Sequence, residues 1–163
     1  RAVTVYKEGA LAALLIQTFK YNFAEDCFRV IEKIIREYVC QHRGVWGDVD
    51  VIVPVPLHPR RYAERGFNQA ERIASAVGRI LLKPVAPALN RIRYTAMQAH
   101  LDKANRRDNV IGAFVLAEKA NVADQKLLLI DDVYTTGSTM QECAGILRSA
   151  GAVDVRGFAI ARG

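Results

Sequence analysis

The chain has 163 residues, of which 51% are hydrophobic, and carries a formal net charge of +6. That is enough apolar material for one domain to bury a full core without disulfide or metal staples. No apolar run approaches the ~20 residues a membrane span needs, so insertion into a membrane is not expected. The positive balance favours an anionic ligand or partner such as phosphate, pyrophosphate or nucleic acid.

The elements are read in chain order. Leu11, Leu14, Leu15 and Phe19 fall on one helical stripe over 10–20, and Phe28, Ile31, Ile35 and Val39 on another over 24–40. Three cysteines, Cys27, Cys40 and Cys143, form no C-x-x-C pair and no metal spacing. They read as reduced thiols in a cytoplasmic protein. The run VDVIV at 49–53 reads as a strand. Next comes PVPLHPRRYAERGFN, a loop stiffened by Pro54, Pro56 and Pro59 and rich in arginine. A helix follows over 67–82 with Ala70, Ile73, Ala74, Val77 and Leu81 inward, and Asn68 is placed to cap it. Weaker strand patterns lie at 85–89 and 110–116. Between them RIRYTAMQAHLDKANRRDN, roughly 91–109, is polar, basic and without periodicity, as functional or mobile loops are. The run KLLLI at 126–130 is short and wholly apolar, as a buried parallel strand should be. A helix over 138–149 and a strand over 153–161 complete the chain. Strands alternating with helices predict an α/β fold with a mainly parallel central sheet flanked by helices, the first helical pair standing outside the repeat as a hood.

The chemistry concentrates in LLLIDDVYTTGSTM, 127–140. In an open parallel sheet ligands bind beyond the carboxyl ends of the strands, where Asp131 and Asp132 fall. The turn that follows leads into a helix N-terminus, whose outward N–H groups suit a phosphate. Gly137 allows close approach, and Thr135, Thr136, Ser138 and Thr139 add hydroxyl donors. The two carboxylates would repel that phosphate but suit the vicinal hydroxyls of a sugar carrying it. The stretch thus reads as a ribose-5-phosphate cradle. The rival readings are a capped strand–turn–helix with no ligand and an aspartyl-phosphate enzyme. No P-loop and no G-x-G-x-x-G are present.

LLLIDDVYTTGST resembles the phosphoribosyl pyrophosphate (PRPP) signature of the type I phosphoribosyltransferases. Further pieces resemble one branch, the ComF family of competence proteins: FKY at 19–21, VPVPLHPRRYAERGFNQA at 53–70, RIRYTAMQ at 91–98, NRRDNVIGAF at 105–114 and the closing AGAVDVRGFAIAR. The resemblance implies a single phosphoribosyltransferase-like domain over 1–163, with a helical hood over 1–45 and a core over 46–163. It puts Asp131 and Asp132 on the ribose hydroxyls and Thr135 to Thr139 around the 5-phosphate. It also implies a Mg²⁺ ion, which takes few protein ligands, so no carboxylate cage is expected beyond Asp131 and Asp132. It makes the loop after the first core strand the pyrophosphate side, with Val55, Pro56, Arg60, Arg61 and Arg65 as candidates. A solvated loop surface is the alternative for these arginines, and His58 beside them is either functional or an exposed loop residue. It makes 91–109 a flexible loop that closes over substrate, with Arg93 and Arg106 as catalytic candidates and Thr95, Gln98 and Asn109 beside them. Arg106 and Arg107 could instead pair with Asp108 and Asp102.

The activity implied is Mg²⁺-dependent phosphoribosyl transfer with pyrophosphate release, linked to DNA uptake in natural transformation. The alternative is a non-catalytic competence factor that binds PRPP or single-stranded DNA, with Tyr62, Phe67 and Tyr94 as stacking candidates. A competence helicase or other DNA-uptake proteins are the implied protein partners. Family members often carry a cysteine-rich zinc segment ahead of this domain. This sequence opens at Arg1 without a cysteine cluster, so the segment is expected to be absent or removed. The acceptor and the oligomeric state carry no signature.

Overall fold

The computed structural model describes residues 3–5, 25–94 and 110–162, and side chains from residue 28 onward in those ranges. The first elements are strand β1 (Val3–Val5), helix α1 (Glu25–Gln41) and the short helix α2 (Arg43–Trp46). Strand β2 (Val51–Pro54), helix α3 (Pro59–Arg65) and helix α4 (Gln69–Leu81) follow. Strands β3 (Leu89–Arg91), β4 (Phe114–Leu116) and β5 (Lys126–Tyr134), helix α5 (Ser138–Ser149) and strand β6 (Asp154–Arg162) complete the order. The sheet order is β1-β6-β5-β2, and every pair in it is parallel. Strand β5 is therefore an inner strand, which is why its apolar run is continuous rather than alternating.

Alternation along β5 sends Leu128 and Ile130 to one face and Leu127 and Leu129 to the other. The first face is covered by α1 and α4, through Ile31, Ile35, Ile73 and Val77. The second is covered by α5 and the β3–β4 hairpin, through Cys143, Leu147, Leu89 and Phe114. The apolar stripe of α1 thus contributes to the core, as a helix of the N-terminal part of the chain. The helix expected over 10–20 lies outside the described residues.

Three differences from expectation have local causes. The expected loop after β2 contains α3, started by Pro59 under a His58 cap and stopped by Gly66 in the left-handed region at φ +77. The strand expected at 85–89 shrinks to a bridge between Val85 and Ile52, and a separate strand forms at Leu89–Arg91. Pro84 and Pro87 bracket that bridge and supply no N–H to a longer ladder. The strand expected to end at Ile130 runs on to Tyr134, so both acids belong to it. Along α4 the partly buried Leu81 only flanks the core that Ile80 enters.

Among the described residues no helix is long and apolar enough to cross a membrane. Cys40 and Cys143 are free thiols, the first exposed and the second buried.

Candidate functional site

Asp131 and Asp132 occupy the carboxyl end of β5 at the step where its facing changes. Ile130 and Val133, three positions apart, pack on the same cluster, and Tyr134 packs on the other. Strict alternation would have put Val133 opposite Ile130. Both acids are half-buried, and the Asp132 N–H donates to Asp131 Oδ1 at 2.9 Å.

The turn Thr135–Gly137 carries the chain into α5. Gly137 has φ +79, and a Cβ built on it would lie 2.6 and 2.8 Å from Cζ and Cε2 of Tyr134. The position therefore needs glycine both for its backbone and for the tyrosine ring beneath it. No side chain caps α5 at Gly137. Thr136 Oγ1 and Ser138 Oγ are 2.8 Å apart, and the Ser138 N–H reaches Thr136 Oγ1 at 3.4 Å. The turn thus gathers hydroxyls and helix-start N–H groups along one short stretch of backbone, with Thr135 exposed and Ser138 and Thr139 half-buried.

Across the strand ends lies the segment after β2. The Val55 N–H donates to the Ile130 carbonyl at 2.8 Å, and the Val55 carbonyl accepts from Asn68 Nδ2 at 3.0 Å. Proline has no N–H, so neither Val55 nor Pro56 has a backbone donor to offer an anion, and recognition there falls to side chains. Asn68 caps α4, its Oδ1 accepting from the Ala70 N–H at 3.0 Å. His58 is the cap of α3, its Nδ1 accepting from the Arg60 N–H at 3.2 Å.

Arg60, Arg61 and Arg65 all lie on α3, with Arg61 and Arg65 one turn apart. Arg60 Nε is 3.4 Å from Glu64 Oε1, and Arg65 Nη1 is 3.4 Å from Gln69 Oε1. The Arg60 and Arg61 guanidinium carbons lie 4.9 and 5.6 Å from the centroid of the Tyr94 ring, and the His58 ring meets the same tyrosine edge-on at 5.3 Å.

Arg91 connects this arginine face to the acids. It ends β3, and its guanidinium carbon sits 5.1 Å from the Phe114 ring centroid. Burial pulls its pKa below the ordinary value, and the Arg61 guanidinium pulls the same way, while the Asp131 carboxylate opposes both. It remains a cation. Burial also pushes the Cys143 thiol far above its ordinary range, with Asp131 adding to the effect and Arg91 opposing it. Arg61, Arg91, Asp131 and Cys143 therefore share one electrostatic neighbourhood.

Arg93 donates through Nη2 to the Ile111 carbonyl at 2.6 Å. The Gly112 N–H donates to Glu142 Oε1 at 2.7 Å, which fastens the backbone there to α5. Thr95, Gln98, Arg106 and Asn109 lie outside the described residues. Sequence reasoning did not mark Arg91, Glu142 or the arginine-holding role of Tyr94. None has a local signal, because the partners that give each its role are distant in sequence.

Among the described residues no group of three or more His, Cys, Asp or Glu side chains is set to hold a metal ion. Two adjacent carboxylates and no third fit an ion such as Mg²⁺, which keeps several waters and takes its other oxygens from a phosphate ligand.

An all-parallel sheet with an acid pair at the end of an inner strand, a glycine-centred turn and a helix is the type I phosphoribosyltransferase fold. The solved glutamine PRPP amidotransferase from B. subtilis, in complex with ADP and GMP, superimposes with a TM-score of 0.52 at 20% identity, over 78% of this chain and 25% of that one. No protein-family model matches the chain. Among curated proteins it is 36% identical over 156 residues to "Competence protein F" of Haemophilus influenzae, covering 92% of this chain and 67% of that protein. It is 33% identical over 165 residues to "DNA utilization protein YhgH" of Escherichia coli O157:H7, covering 99% of this chain and 72% of that protein. The chain belongs to the ComF family.

Proposed function

We propose that the chain binds PRPP at the carboxyl end of β5 and transfers its phosphoribosyl group, with release of pyrophosphate, in a process linked to DNA uptake. The observation that carries this reading is the acid pair of β5 running into a glycine-centred helix start, with the arginine-bearing α3 following the neighbouring strand β2 and Arg91 sharing the field of both Arg61 and Asp131. The N–H groups and hydroxyls of Thr135–Thr139 take the 5-phosphate. Asp131 and Asp132 accept hydrogen bonds from the ribose 2- and 3-hydroxyls and fix the sugar's orientation. Arg60, Arg61 and Arg65 face the pyrophosphate, and Arg91 lies between them and Asp131. Asp131 and Asp132 are also the side chains that would hold Mg²⁺. When bound, that ion supplies positive charge that neutralises the departing pyrophosphate. The protein's part is positioning and charge: a nitrogen nucleophile displaces pyrophosphate at the ribose C1, with no covalent enzyme intermediate. The names of the two relatives, which speak of competence and DNA utilization, support the link to DNA uptake.

A second reading, binding of single-stranded DNA on the same face without transfer, draws on Tyr62 and Tyr94, which are 47% and 37% exposed beside the α3 arginines.

Calorimetric titration of PRPP with Mg²⁺ tests the first reading. Asp131→Asn/Asp132→Asn removes two charge-assisted acceptors worth about 1.5–3 kcal/mol each, so affinity should fall by about 100-fold or more while the fold persists. Equal binding by wild type and variant would remove the acid pair from the site.

A further inference from the structure

The 5-phosphate turn is built from backbone, whereas the α3 side offers long side chains, of which Arg60 has an exposed ion pair with Glu64 at 3.4 Å. Arg60 is exposed and Arg61 half-buried, and a long arginine side chain that must be ordered when its ligand arrives loses affinity to entropy. Tyr94 changes this. Its ring lies under both guanidinium groups, at 4.9 Å from Arg60 and 5.6 Å from Arg61, with the His58 cap of α3 against its edge at 5.3 Å. A ring on the face of a guanidinium leaves its in-plane N–H donors open, so a stacked arginine can still grip a phosphate.

The tyrosine is itself anchored. The Ile92 N–H donates to the Ala113 carbonyl at 2.9 Å, and Arg93 Nη2 donates to the Ile111 carbonyl at 2.6 Å. These bonds carry the pairing of β3 with the 111–116 stretch up to the residue before Tyr94. The ring is therefore mounted on the hairpin and reaches α3 from outside, while Arg91 of the same short stretch serves the acid side.

We propose that Tyr94 is a positioning residue that holds Arg60 and Arg61 in place for the pyrophosphate group and so tells PRPP from ribose 5-phosphate. This rests on the PRPP reading given above. The chemistry selected is a ligand with a second anionic group beyond the sugar, since the ring contacts of Tyr94 are with Arg60, Arg61 and His58 of the α3 side.

Titrations of PRPP and of ribose 5-phosphate, each with Mg²⁺, into wild type, Tyr94→Phe and Tyr94→Leu test this. Tyr94→Leu should weaken PRPP by about 5- to 30-fold, the worth of two exposed cation–π contacts. It should leave ribose 5-phosphate unchanged. Tyr94→Phe keeps the ring and should match wild type for both. Equal PRPP affinity in wild type and Tyr94→Leu would overturn the proposal alone. So would an equal loss of both ligands, which marks a merely structural role. A folded wild type that binds neither ligand would overturn the PRPP reading and this proposal with it.

Discussion

Gly137→Ala perturbs the tightest point of the site. The residue sits at φ +79, where an L side chain costs about 1–2 kcal/mol. The new methyl would also stand 2.6 Å from Cζ and 2.8 Å from Cε2 of Tyr134. Tyr134 packs against the second core cluster, so moving its ring strains that cluster, an overpacking cost of about 1–2 kcal/mol. The sum is a loss of about 2–4 kcal/mol. Urea unfolding should show it as a midpoint lowered by roughly 1–2 M with an unchanged slope. A double-mutant cycle separates the two causes. In a Tyr134→Ala background the ring is gone, and Gly137→Ala should cost only its backbone share. The coupling between the two changes should therefore be about 1–2 kcal/mol. Additive effects, within about 0.3–0.5 kcal/mol, would show that the tyrosine does not occupy the space beneath the turn.

Other expectations concern the amino end of the inner strands and the thiols. Asp48 accepts from Arg156 and Lys126, with Arg156 Nη1 at 2.5 Å and Lys126 Nζ at 3.2 Å. The hydrogen bond from Arg156, then that from Lys126, holds its carboxyl well below the ordinary value of 3.8. A depressed carboxyl contributes stability above its unfolded value and loses it as pH falls through the folded one. Wild type should therefore lose a modest, solvent-screened part of its stability below about pH 4, and Arg156→Met should be less stable at neutral pH with a shallower acid limb. Parallel acid limbs in chemical unfolding from pH 7 to pH 2 would refute the assignment. Cys40 is exposed and Cys143 is buried with a raised pKa, so iodoacetamide mapping at pH 8 should label Cys40 at least about 100-fold faster until the protein unfolds. Comparable labelling of the two in folded protein would mean that the α5 face is open.

What the sequence determined by itself is local in origin. The helix at 25–41 follows from the period at which apolar residues recur, and the apolar body of β5 from a short unbroken apolar run, neither of which needs knowledge of neighbours. The acid pair and hydroxyl-rich turn were readable for the same reason, since the cradle they suggest is contiguous chain. Helix α3 had signals in Pro59 and Gly66, but seven residues are too few for an apolar stripe to show, and none of them is buried. Pairing needed the fold. That residues 85–89 divide between a bridge to Ile52 and a hairpin with Phe114–Leu116 depends on which strands stand beside them. That Arg91 shares a field with Asp131, and that Tyr94 collects Arg60 and Arg61, depends on the separate β3–β4 pair packing beside the parallel sheet. Charge and ring contacts act over a few ångströms of space, and the sequence separations they span here leave no periodic trace.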